Sequence, residues 1–373
     1  MSNSKVDMQT SRRELFAGSI AGILAAQAAF GQAAVAKSPA EGDLAPTLDQ
    51  RFLPSSIDEA TRRVNAIIEA DDADLKLLSD VKEIRKLFYG PPAWTPDVAA
   101  AGTPGMKLMP MPPKSAVSEK LIPGPSAKPV RLMILQPPGK ARGTYFYVHG
   151  GGWVAQKPED YLSFLWRFCR EAEVAVVAPE YRLAPENPFP AGPDDVLAAA
   201  RWLFTSGQKE FSGPFVMGGD SAGGHLAALT LQRLRDEANL TPFVGADLVY
   251  GVYDFNMTPS VRLHGPKLPL STGMTKLCTD WACPPGKDRF DPKVSPLYGS
   301  IAGMPPALFT VGTHDPLLDD TLFMEQRWRA AGKAAILEVY PGGVHGFDWL
   351  PLAIATQAVD RRVQFLSSIV RST

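Results

Sequence analysis

Between Phe215 and His225 an apolar run breaks into glycines around one serine, Ser221, and then resumes as a helix-forming stretch. Gly219 and Gly223 stand two residues to either side of that serine. This is the G-x-S-x-G spacing of a turn that carries a strand sharply into a helix and lifts the serine oxygen clear of its own backbone. Only small residues fit such a turn, where backbone segments approach closely and the serine itself is strained. A short pattern of this kind gains meaning only if a base, an acid and donors for an anion occur where the turn needs them.

The chain around the turn alternates in the way such a serine requires. Short β-rich runs are expected at Pro129 to Leu135, Thr144 to Val148, Val174 to Pro179, Phe215 to Met217, Val244 to Tyr250, Ala307 to Val311 and Ala335 to Tyr340. Helical patterns fall at Pro158 to Glu173, Asp194 to Thr205, Ala222 to Ala238, Leu322 to Ala331 and Leu352 to Ser368. That alternation specifies an α/β fold, a mostly parallel sheet flanked by helices. Residues 254–300 interrupt it with a proline-rich stretch too long for an ordinary connection, read as a cap insertion over the carboxyl edge of the sheet. Upstream, apolar residues between Ile57 and Phe88 recur at three- and four-residue steps, which predicts one or two amphipathic helices. Seven prolines between Gly90 and Lys114 forbid regular structure there. The expected organisation is thus residues 37–114 as linker and cap helices, and residues 115–373 as a catalytic domain carrying the insertion.

The first 36 residues read differently. Arg12 and Arg13 precede an alanine- and glycine-rich run ending in Ala34-Val35-Ala36, the order of a twin-arginine export signal with a small-residue cleavage site. The run is too weakly apolar for a stable membrane span, so a periplasmic or secreted mature protein is expected. The formal charge of -1 supplies no basic field for nucleic acid, which leaves a small molecule as the expected partner and sets no oligomeric state. No metal or cofactor motif is present. Cys169, Cys278 and Cys283 contain no C-x-x-C pair, and Cys278 with Cys283 reads either as a disulfide or as two buried thiols.

A serine hydroxyl is a poor nucleophile at neutral pH without a base that an acid orients. Of the five histidines, His345 lies in a glycine-rich loop directly after the last expected strand, where a base can reach the sheet edge. His225 is one helical turn beyond Ser221 and cannot easily swing its ring back to it. His264 and His314 read as surface or packing residues. Asp315 follows another expected strand and suits the acid, whereas Asp319 and Asp320 fall at a helix start and have a structural reason to be there. For the anion, His149-Gly150-Gly151-Gly152-Trp153 ends a strand with three glycines. Gly151, Gly152 and the helix-initiating Ala222 offer N–H groups for an oxyanion hole. Trp153, Phe255, Trp281, Phe347 and Trp349 flank these motifs and are the candidates to line an apolar substrate pocket, with cap core as the alternative.

The His149 to Trp153 run, Gly219 to Gly224, Tyr181-Arg182-Leu183-Ala184-Pro185-Glu186 with Phe189-Pro190-Ala191, Asp315-Pro316-Leu317 and His345-Gly346-Phe347 occur in one order. Together they resemble the hormone-sensitive-lipase-like branch of the α/β-hydrolases over roughly residues 115–373. The resemblance implies an α/β-hydrolase fold with a helical cap, a Ser221, Asp315, His345 triad, and a carboxylesterase acting on short to medium acyl chains. It also implies a structural buttress in the Tyr181 to Glu186 segment. An amidase, a lactonase or a carbohydrate deacetylase would use the same triad, and a non-catalytic receptor on this fold usually lacks one of its members.

Overall fold

The computed structural model describes residues 49–70, 80–88, 95–106, 109–211, 213–266 and 269–371. The expected export signal and the first part of the linker lie outside the described residues. From Asp49 onward, the described residues build one eight-stranded sheet: β1 (Val117–Ile122), β2 (Val130–Leu135), β3 (Gly143–Val148), β4 (Val174–Glu180), β5 (Phe215–Asp220), β6 (Gly245–Val249), β7 (Ala307–Gly312) and β8 (Ala335–Tyr340). Their spatial order is β1-β2-β4-β3-β5-β6-β7-β8. The pairs β1·β2 and β2·β4 are antiparallel, and from β4 to β8 every pairing is parallel.

The helices are α1 (Glu59–Ala70), α2 (Val81–Phe88), α3 (Pro96–Ala101), α4 (Leu162–Glu171), α5 (Ala191–Leu203), α6 (Ala222–Ala238), α7 (Pro259–His264), α8 (Thr272–Ala282), α9 (Leu318–Ala330) and α10 (Ala353–Arg371). Because side chains alternate along a strand, β3 feeds both layers. Phe146 and Val148 join the core under α5 and α6, while Tyr145 and Tyr147 join the core under α4 and α10. Burial on both faces explains why the central strands are almost continuously apolar.

The proline-rich stretch expected to be irregular contains helix α3, because Pro96 sits in its first turn, where no N–H is needed, and Thr95 caps it by accepting from Val98 N. One strand had no sequence signal. β1 carries Ser118, Glu119 and Lys120, and Ser118, Glu119 and Leu121 are exposed at the sheet edge, so an apolar rhythm is not needed there. The interval between β6 and β7 contains the short helices α7 and α8. Met274, Cys278 and Ala282 of α8 sit in the same core as Phe189 and Phe255. Asp320 anchors the entrance to this interval by accepting hydrogen bonds from Tyr253 N (2.6 Å), Asp254 N (2.9 Å) and Thr258 Oγ1 (2.6 Å). Burial pushes its carboxyl pKa up to about 7 against those bonds. Cys169, Cys278 and Cys283 are all free and buried, so of the two readings the pair of thiols is the one adopted.

Candidate active site

Ser221 follows β5 at the N-cap of α6 with φ +54° and ψ -121°, a conformation disfavoured for any residue with a side chain. Its own backbone holds it there. Ser221 N donates to Val249 O at 2.9 Å, and Ser221 O accepts from His225 N at 3.1 Å. The close approach of α6 to β3 requires Gly223, since a Cβ at that position lands 2.0 Å from the Val148 carbonyl oxygen.

The loops after β5, β7 and β8 converge on this serine. Ser221 Oγ lies 2.9 Å from His345 Nε2, and His345 Nδ1 lies 2.9 and 3.1 Å from the two carboxylate oxygens of Asp315. The carboxylate fixes the proton on Nδ1, which leaves the Nε2 lone pair facing the serine hydroxyl. Asp315 Oδ1 also accepts from Leu317 N at 2.8 Å, so its orientation is set from two sides. The His345 side chain keeps 14% of its surface exposed and that of Asp315 none, as expected if only the histidine meets a substrate. Burial pulls the His345 pKa down, but the Asp315 charge and hydrogen bond, with Asp220 and Asp348 behind, outweigh it and leave the ring above its ordinary value.

The loop after β3 approaches from the other side. Gly151, Gly152 and Trp153 all have positive φ, at +88°, +60° and +62°. At Gly151 a side chain is excluded twice, because an added Cβ falls 2.2 Å from the Ala155 carbonyl oxygen. Neither Gly151 nor Gly152 donates its N–H to a backbone carbonyl among the described residues. Ala222 opens α6, where the first N–H groups have no intrahelical acceptor. These are the donor types that stabilise an oxyanion.

This loop is held by polar contacts and stacking. The Tyr181 hydroxyl lies 3.0 and 2.9 Å from the His149 and Gly150 carbonyls, its ring stacks on His149 at 4.2 Å, and Ala184 N donates to Trp153 O at 2.9 Å. Arg85 of α2 donates to Val154 O at 2.7 Å. Trp153 Nε1 donates to His225 Nδ1 at 3.2 Å, while His225 Nε2 donates to Val294 O at 2.8 Å. Both nitrogens of His225 are therefore occupied, which accounts physically for its exclusion as a base. Burial lowers the pKa of His149 and of His225 to about 4, so both rings are neutral near pH 7.

The five aromatic candidates do not form one wall. Trp153 and Phe255 contact each other at 4.7 Å inside the core beneath α5 and α6, and Trp281 packs on that same core partly exposed. Phe347 is fully buried against Tyr340 and Tyr250, and Trp349 stacks on Phe164 of α4 at 4.6 Å. Trp153, Phe255 and Phe347 are packed as core, the alternative reading, and Phe347 and Trp349 share no wall. They sit two residues apart on a 3-10 turn, Phe347–Trp349, which sends their rings into different cores.

Several supporting residues had no sequence signal. Tyr147, Tyr161 and Asp220 meet beneath the oxyanion loop, Asn65 of α1 reaches Gly342, and Tyr250 presents its ring to His345 at 4.7 Å.

The model for the alpha/beta hydrolase fold family matches residues 145–348, a segment that contains every loop just described. The carboxylic ester hydrolase LipN of Mycobacterium tuberculosis is 35% identical over 245 residues, covering 62% of this chain and 64% of that protein. Ethyl acetate hydrolase of Pseudomonas putida is 34% identical over 216 residues, covering 56% of this chain and 67% of that protein. The chain thus spans about two thirds of the length of these curated relatives. The esterase of Pyrobaculum calidifontis, a solved structure, superposes with a TM-score of 0.69 at 27% identity, covering 78% of this chain and 94% of that one. The chain belongs to the α/β-hydrolase fold family, in its hormone-sensitive-lipase-like branch of bacterial carboxylesterases.

Proposed function

We propose that the chain is a serine carboxylesterase that hydrolyses short- to medium-chain carboxylic esters through an acyl-enzyme. The observation that carries this reading is the unbroken line Ser221 Oγ to His345 Nε2 (2.9 Å) to Asp315 (2.9 Å). Ser221 attacks the ester carbonyl as its proton passes to His345. Asp315 stabilises the imidazolium, and the N–H groups of Gly151, Gly152 and Ala222 take the charge on the carbonyl oxygen. His345 then protonates the departing alkoxide, and a water activated by the same ring releases the acid. Each oxyanion donor contributes about 10²- to 10³-fold to turnover.

Chain from Lys37 onward, assayed on p-nitrophenyl esters of increasing acyl length, is expected to favour short chains. Ser221→Ala abolishes turnover and labelling by a fluorophosphonate. Full activity in that variant sinks the mechanism. Among the described residues no helix is long and apolar enough to cross a membrane.

The amino-terminal residues support a second reading, that the chain is exported folded through the twin-arginine route. Replacing Arg12 and Arg13 by lysine is expected to leave the precursor in the cytoplasm, and unchanged processing overturns that routing.

A further inference from the structure

We propose that Tyr161 is a positioning residue whose hydroxyl sets the distance between the two halves of the oxyanion hole. The proposal rests on the ester-hydrolase reading above and adds to it a residue that lies outside the triad and the donor set. The donors come from two separate pieces of chain, Gly151 and Gly152 on the loop after β3, and Ala222 on the helix after β5. Their relative position has to be fixed by something that touches both. Tyr161 does so. Its hydroxyl accepts a hydrogen bond from Gly150 N at 3.0 Å, one residue before the first donor pair, and lies 3.0 Å from Asp220 Oδ2, one residue before Ser221. The gap it spans has no spare room, since a Cβ on Gly150 falls 2.7 Å from Asp220 Oδ2 and 3.0 Å from the Tyr161 hydroxyl.

Each end of this bridge is separately anchored. Asp220 Oδ1 accepts from the Tyr147 hydroxyl at 2.6 Å, so the carboxyl group cannot rotate away from Tyr161. The Tyr161 ring is 2% exposed and is held by the rings of Tyr147 at 5.7 Å and Trp349 at 5.0 Å. Ring packing therefore stays when the hydroxyl is removed. Gln156 Oε1, on the far side of the same loop, lies 2.8 Å from the hydroxyl. One hydroxyl proton cannot serve both Gln156 and Asp220. The second contact needs a proton on Asp220 or a Gln156 amide turned to donate. Burial pushes the Asp220 carboxyl up to about 6, so a protonated form is within reach in this apolar setting.

The bridge acts on charge stabilisation alone, which separates it from a structural role. In Tyr161→Phe, kcat for p-nitrophenyl butyrate is expected to fall about 10-fold, a fraction of the loss from deleting a donor outright. KM stays near the wild-type value. Inhibition by an alkyl boronic acid, whose tetrahedral adduct on Ser221 places an oxygen in the hole, weakens by the same factor as kcat/KM. Gly150→Ala, which wedges the same gap, gives the same signature and serves if Tyr161→Phe does not fold. Asp220→Asn, able to hydrogen-bond both tyrosines, retains more of kcat than Asp220→Ala. Wild-type kcat in a folded Tyr161→Phe enzyme, or a loss of kcat with boronate affinity unchanged, overturns the proposal. A wild-type protein that neither turns over the ester nor binds the boronate overturns the reading of the site itself.

Discussion

Asn65, on helix α1, donates a 2.8 Å hydrogen bond from its side-chain amide to the carbonyl of Gly342, three residues before His345. The same amide nitrogen lies 3.5 Å from His314 Nδ1, next to Asp315. Ile57 and Thr61 press on Gly342 from the same segment, and His314 N is bonded to Gly343 O at 3.0 Å. An amino-terminal helix thus clamps the two loops that carry the acid and the base. Removing the Asn65 side chain leaves a buried carbonyl without its donor, which costs about 1–3 kcal/mol. Asn65→Ala is expected to lower the unfolding midpoint by a few degrees and kcat on the order of 10-fold, because small misplacements of a base are expensive in rate. Calorimetry beside ester kinetics checks this, and a wild-type kcat refutes the clamp.

The pH profile follows from the environment of His345. The ring must be neutral to accept the Ser221 proton, so activity is lost as pH falls through its pKa. The Asp315 charge raises that pKa against the pull of burial, placing the acid limb of kcat/KM above the ordinary imidazole value of about 6.5. In Asp315→Asn the chief raising influence is gone and burial dominates. The limb moves to lower pH while the rate falls by about 10⁴-fold. A limb that stays in place in this variant means His345 does not set it.

What the sequence made legible was wherever local chemistry suffices. The elbow at Ser221 and the Gly151 loop are backbone problems that only small residues solve, and Asp315 and His345 follow strands whose apolar runs announce them. The residues that tune the site announce nothing, because their contacts join distant segments. Tyr161 and Asp220 are 59 positions apart, and Asn65 and Gly342 are 277 apart. Pocket lining and core packing could not be told apart at Phe347 and Trp349 for a related reason: nearness in sequence to a catalytic histidine says nothing about which side of a turn a ring takes. β1 escaped notice because an edge strand with Ser118, Glu119 and Lys120 buries little.

Gly151→Ala tests the loop geometry directly. The position needs φ +88°, and the new methyl meets the Ala155 carbonyl oxygen at 2.2 Å. The loop must shift, which displaces at least one donor, and a loss of about 10²-fold or more in kcat is expected. Substrate affinity, read as KM, changes much less. Comparable loss in KM alone argues that the loop serves binding.

The cysteines give a chemical test of the fold. Burial pushes the Cys169 and Cys278 thiols up to about 12 and raises that of Cys283 as well, so the thiolate that reacts is scarce in native protein. Iodoacetamide is expected to leave the native chain unmodified and to alkylate all three cysteines in denaturant without reductant. Intact mass distinguishes this from a Cys278 to Cys283 disulfide, which leaves only one site.

Arg362 shows how far the support of the base extends. Its guanidinium is fully buried, 2.9 Å from Asp247 and 3.1 Å from Asp348, over the rings of Phe164 and Phe168. Asp348 in turn accepts from the Tyr250 hydroxyl at 2.5 Å, and the Tyr250 ring stands edge-on to His345. Arg362→Met keeps the volume but strands two carboxylates in the core, at a cost of about 3–5 kcal/mol. For a chain of this size that is about 5 °C in unfolding midpoint. Burial already raises the Asp348 pKa while the Arg362 charge opposes it, so without the cation the folded-state value rises further and the stability that carboxyl contributes is present at low pH and lost as pH rises. The deficit of Arg362→Met against wild type is therefore expected to be largest near pH 7 and to shrink toward pH 4. Adding Asp247→Asn and Asp348→Asn recovers part of the loss at pH 7. Denaturant unfolding at the two pH values decides the matter, and a deficit independent of pH shows that packing, not the stranded charges, was lost.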